Sequence, residues 1–213
     1  MTDSLIDALF DYLDHWRQFP AYQLERRSDI LFSLYLKDLL SANAHVKPIT
    51  VLPEFPLHIG TLYKSDSNQS FRVDFLIPCE DNVTYLVELK TDLKSQGDEQ
   101  KGHMKQAKLL GLPKLLHGLR AILQATKASG KYQNYLIELE KLGWINSLTS
   151  EDFQVTSPKQ DLRLLYILPS DNDITRDDEI EYLFFEDVIK VLRTKQDDLS
   201  KRFSESLEKW QQQ

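Results

Sequence analysis

The chain has one cysteine, Cys79, in 213 residues. A disulfide framework or a cysteine-built zinc site is therefore excluded within one chain. Glycine and proline are scarce, 7 and 8 residues, which excludes collagen-like and linker-like chains and most glycine-rich phosphate loops. No apolar run approaches the ~20 residues that span a bilayer. The opening Met1-Thr2-Asp3-Ser4 carries acid where a secretory leader carries base, and with the lone cysteine it points to a soluble protein of a reducing, cytoplasmic compartment. Walker, dinucleotide-binding and serine-elbow sequences are missing as well.

What is present is a core-forming composition, 41% hydrophobic and 10% aromatic, with a net charge of −7. The charge is uneven. Residues 1–89 hold 7 basic and 13 acidic groups, whereas residues 90–131 hold 9 basic and 3 acidic. A basic stretch inside an acidic protein suits a local polyanion site and not a general nucleic-acid coat.

The apolar spacing predicts helices over Ser4–Phe19 and about Ala21–Asn43. The period then shortens, and strands are predicted over Ile49–Leu52, Leu57–Tyr63, Phe71–Ile77 and Val83–Lys90. Helical spacing returns over Asp98–Leu110, Leu115–Thr126 and Tyr132–Leu142. Leu162–Leu168 reads as a buried strand, Glu181–Phe185 as a short strand or a helix start, and Asp197–Trp210 as an amphipathic helix. The order predicts an α/β domain with a mixed sheet and helices packed on it.

Chemistry concentrates in Phe71-Arg72-Val73-Asp74-Phe75-Leu76-Ile77 and Val83-Thr84-Tyr85-Leu86-Val87-Glu88-Leu89-Lys90. Strand side chains alternate faces, so Glu88 and Lys90 project together, roughly 6–7 Å apart. If Cys79 pairs with Val83 across the Pro78–Asn82 tip, Asp74 falls opposite Glu88, with Cβ atoms about 4.5–5.5 Å apart. A slip of one residue would send Asp74 to the other face. Two carboxylates that close repel each other, and a hard divalent cation, Mg²⁺ or Mn²⁺, relieves the repulsion by taking both as ligands. A solvated strand face is the alternative use of a Glu-x-Lys triplet; this one ends an apolar strand.

Here the sequence resembles the PD-(D/E)XK nuclease superfamily, the restriction-endonuclease-like fold. Asp74 matches its first acid and Glu88-Leu89-Lys90 its second half, although Val73 stands where the strict motif has proline. The resemblance implies one nuclease-like domain over residues 1–213. It places an α-β-β-β-α-β core at about 21–170 and helical additions at 1–20 and 171–213. It implies Mg²⁺ or Mn²⁺ held by Asp74, Glu88 and the Leu89 carbonyl, with Lys90 orienting water, and hydrolysis of nucleic acid, most simply DNA, to a 5′-phosphate end. It offers Glu25 as a further acid near the metal, against an ordinary first-turn glutamate. It offers Gln106, with Gln100 as rival, as the glutamine on the following helix. Lys101, Lys105 and Lys108, at helical spacing, form with Lys94 a candidate nucleic-acid contact or a solubility face. A non-catalytic DNA- or protein-binding module on the same scaffold is the alternative. A homodimer, or a protein partner met through the terminal helices, stays open, and no membrane partner is expected.

Overall fold

A computed structural model describes residues 4–92, 97–149, 152–156, 159–172 and 174–211. The fold is α/β. A mixed five-stranded sheet runs in the order β1 (Leu52–His58), β2 (Ser70–Pro78), β3 (Val83–Leu89), β6 (Asp161–Leu168), β7 (Ile180–Phe184), with helices flanking it. The short strands β4 (Ile145–Ser147) and β5 (Phe153–Val155) form a separate antiparallel pair. No helix among the described residues is long and apolar enough to cross a membrane.

The chain divides into two compact units. One comprises Leu52–Leu86 and Gly97–Leu164. In it β1 pairs antiparallel with β2, Leu52 opposite Leu76 and His58 opposite Ser70. β1 is an edge strand, which is why it tolerates Pro53 and Pro56. The same register holds on both sides of Glu54, Pro53 facing Phe75 and Phe55 facing Val73, and Glu54 itself takes a left-handed φ of 54°. The hydroxyl of Tyr135, on α6 (Gln133–Lys141), donates to the Pro53 and Glu54 carbonyls.

The predicted strand Leu57–Tyr63 is not formed. Its first residues belong to β1, and Ile59–Tyr63 turn into the helix α3. The cause is local. His58 Nδ1 accepts the Thr61 N–H at 3.2 Å, a cap from a residue outside the usual Ser, Thr, Asp and Asn set. A Cβ on Gly60 would lie 2.4 Å from the Ser67 carbonyl oxygen, so the turn after α3 closes only over glycine. Helices α4 (Asp98–Leu110), α5 (Leu112–Ala125) and α6 follow where the helical spacing predicts them.

The other unit comprises Met1–Val51, Val87–Gln96 and Leu165–Gln213. It holds α1 (Leu5–Trp16), α2 (Leu24–Asn43), β7, α7 (Phe185–Leu192) and α8 (Asp198–Trp210). Both sequence readings of Glu181–Phe185 are realised in turn, strand to Phe184 and helix from Phe185, where Asp187 accepts the Phe184 N–H. The core is aromatic: Phe203 of α8 meets Phe10 of α1 at 5.7 Å and Phe32 of α2 at 5.2 Å between ring centroids. α1 is tied to α8 by charge as well. Arg202 reaches Asp11 at 2.6 Å and Asp14 at 3.4 Å, and Lys209 reaches Asp14 at 2.6 Å.

Burial by itself would raise the Asp14 carboxyl, but hydrogen bonds from Lys209, Ser206 and Trp210 outweigh it and hold the pKa below 3.8. A carboxylate lowered by folding stabilises the protein above its unfolded pKa and loses that contribution as pH falls through the folded one. Asp14→Asn is therefore expected to lower the melting temperature at neutral pH. The gap from wild type should shrink as the pH is taken below 3.8, measured by thermal denaturation across a pH series.

Candidate functional site

β3 is buried along its whole length, as befits a strand with a neighbour on each side and cover on both faces. Glu88 is 2% exposed and Lys90, just past the strand, 3%. The Lys90 N–H donates to the Ile167 carbonyl at 2.9 Å, which fixes the backbone at this end against β6. Charged residues are almost never this buried unless paired. The pairing is direct: Lys90 Nζ lies 2.7 Å from Glu88 Oε1 and 3.3 Å from Glu25 Oε1. Glu25 enters from the first turn of α2, where Ser28 binds its hydroxyl back to the Leu24 carbonyl at 2.9 Å and leaves Glu25 partly open to solvent.

Two carboxylates from a helix and a strand thus converge on one buried ammonium. The period-2 spacing gives Glu88 and Lys90 a common face, and α2 supplies the second acid from 65 residues away in sequence. A pair of acids converging on one cation is a donor set that suits a hard divalent ion. Among the described residues no group of three or more His, Cys, Asp or Glu side chains stands together as a metal site.

Asp74 sits in β2 of the other unit, half-buried between the buried Val73 and Phe75. At the tip of the hairpin that leads from it, the Cys79 N–H donates to the Val83 carbonyl at 2.8 Å. The tip makes its turn at Asp81 and Asn82, whose φ values are 62° and 59°. Burial pushes the Cys79 thiol up to about 11, with Arg163 opposing, so it stays protonated and inert near neutral pH.

In the same unit α4 carries the rest of the predicted set. Gln106 donates its amide to the Leu62 carbonyl at 2.9 Å, which fastens α4 to α3. Gln100, its rival, keeps a buried Oε1 for which the described residues supply no donor. Lys101, Lys105 and Lys108 lie along α4 at intermediate exposure, and Lys94 lies outside the described residues. His103, on the same helix, accepts from or donates to the Tyr63 hydroxyl at 2.7 Å and stands 3.7 Å from Glu99.

Sequence reasoning did not single out Arg17, at the C-terminal end of α1. Burial lowers its guanidinium below the ordinary value, while Asp14 and Asp92 pull it back up. The Asp92 charge, two residues beyond Lys90, is thus felt by α1. Comparison with protein-family profiles, with curated proteins and with solved structures gives no match for this chain.

Proposed function

We propose that the protein is a Mg²⁺- or Mn²⁺-dependent nuclease of the PD-(D/E)XK type that hydrolyses nucleic acid, most simply DNA. The observation that carries this reading is the buried Lys90 ammonium between Glu88 and Glu25 at the end of β3. Support also comes from the Cys79–Val83 bond, which is the register the Asp74–Glu88 pairing requires. The other support is the order from α2 to β6, in which β1, β2 and β3 (with the short α3 after β1) are followed by helices α4–α6, the small β4–β5 pair and then β6.

Asp74 and Glu88, with the Leu89 carbonyl, would hold the ion, and Glu25 would hold it directly or through water. The ion, when bound, supplies a Lewis acid for the phosphate and a water of lowered pKa. Lys90 then faces a shared task. It neutralises Glu88 and Glu25, and its ammonium would hold the attacking water and balance charge growing on the phosphate. Lys94, Lys101, Lys105 and Lys108 would hold the backbone of the nucleic acid, and the loss of affinity with salt would report how many do so.

Incubation with plasmid and linear DNA, with Mn²⁺ and with EDTA, tests the proposal. Metal-dependent cleavage by wild type and none by Asp74→Ala is the expected result. No cleavage by wild type, or equal cleavage by both, would reject it. The Glu25–Lys90–Glu88 cluster also suits a purely structural ion network in a non-catalytic binding module. That reading expects no Mn²⁺ binding that depends on Asp74 and Glu88.

A further inference from the structure

Helix α1 has two apolar faces. Phe10 and Leu13 are buried on the face turned to α8. On the other face Leu5 is 90% exposed, Leu9 45%, Tyr12 55%, Trp16 42% and, just beyond the helix, Phe19 53%. Within the helix Leu5, Leu9, Tyr12 and Trp16 are spaced 4, 3 and 4, the seam of a heptad repeat, which is the pattern a helix shows to another helix, and Phe19 extends the apolar patch past its end. The stripe is ordered internally. Tyr12 stacks on Trp16 at 4.7 Å, and Trp16 meets Tyr22 edge-on at 6.2 Å.

We propose that this stripe pairs with the same stripe of a second copy of the chain, across a two-fold axis. Charge decides for a second copy. The acids of α1, Asp7, Asp11 and Asp14, all engage Arg202, on the side turned to α8. The positions flanking the seam are Ile6, Ala8, Leu13 and His15, so two copies meet without like charges facing each other. An anionic membrane is a poorer match, because helices that lie on it carry lysine and arginine along the polar face, whereas this one carries aspartates.

Area agrees. Three half-exposed aromatics and two leucines offer roughly 500 Å² per copy, so a pair buries about 1,000 Å², the lower limit for a specific interface. The interface is self-complementary and closes on itself, as a two-fold contact must. A dimer with Kd in the micromolar range is the expected strength for so small an area.

Sedimentation velocity on the full chain from about 1 to about 300 µM tests this. Wild type should pass from monomer to dimer across that range. The double variant Leu9→Glu with Tyr12→Glu should stay monomeric, a loss of at least tenfold in affinity, with an unchanged melting temperature because both side chains are exposed. Wild type that is monomeric throughout, or a dimer that survives both substitutions, would overturn the proposal. So would a monomer whose stripe instead co-sediments with phosphatidylserine vesicles and loses that binding in the double variant.

Discussion

Lys90→Met is expected to destabilise the protein by about 3–5 kcal/mol, the usual effect of removing one partner of a buried ion pair. Lys90 and Glu88 are both nearly inaccessible, and their 2.7 Å contact is the closest charge contact of the cluster. Without the ammonium the Glu88 carboxylate stays in the sheet core with its nearest counter-charge gone. For a chain of this size the loss corresponds to a fall of roughly 6–20 °C in melting temperature.

The reverse substitution is expected to be milder. Glu88→Gln leaves Lys90 with Glu25, whose side chain is 29% exposed and lets water share the charge. Lys90→Met combined with Glu88→Gln should recover most of the stability lost by Lys90→Met alone, because no isolated charge then remains buried. Such a cycle gives a coupling energy for the pair that single variants cannot. It also separates stability from chemistry. The recovered double variant should fold and melt closer to wild type than Lys90→Met does, yet show no metal-dependent cleavage under the nuclease reading. A melting temperature for Lys90→Met within 2 °C of wild type, a shift of under about 1 kcal/mol, would mean that the cluster is not closed as described.

The hairpin was legible because its two signals agree. Alternation in Phe71–Ile77 and Val83–Lys90 marks the two strands, and the polar tip between them marks the turn, where the Cys79 N–H meets the Val83 carbonyl. The helices α2, α4 and α8 follow from apolar spacing alone. What stayed hidden lacks a local signal. β4 and β5 are three residues each, too short for any period to register. α3 begins on a histidine cap, which carries none of the usual capping signals, so Leu57–Tyr63 reads as one strand until the Thr61 N–H is seen to meet the ring nitrogen. That error carries into the site: the Gln106 amide is held by the Leu62 carbonyl, an acceptor that exists only because α3 is a helix. Glu25 shows the same limit differently. Helical phase places it on the face of α2 that leads into the core, but its contact with Lys90 joins segments 65 residues apart, which no spacing rule reports.

Phe203→Ala is expected to be the most damaging single truncation in the unit that carries α1. Phe203 is fully buried and its ring lies within 6.2 Å of four others, Phe10, Phe32, Tyr35 and Trp210. Loss of a buried phenyl group typically costs about 3–5 kcal/mol, since the transfer free energy and an unfilled cavity add. Each edge or stacked ring contact contributes about 0.5–1.5 kcal/mol beyond area, which places the expected value at the upper end. Phe203→Leu refills part of the volume and should recover about half of the melting-temperature loss. Near-UV circular dichroism should follow the same order, because Trp210 loses the edge-on ring that fixes its orientation. The substitution reaches the α1 surface too. Phe10 packs on Phe203 from the inner face of the helix whose outer face presents Leu9 and Tyr12. Phe203→Ala should therefore weaken self-association and stability together, whereas Leu9→Glu with Tyr12→Glu weakens self-association alone. Equal melting temperatures for Phe203→Ala and wild type would show that α1 and α8 are held by the Asp14, Arg202 and Lys209 charges and not by the aromatic core.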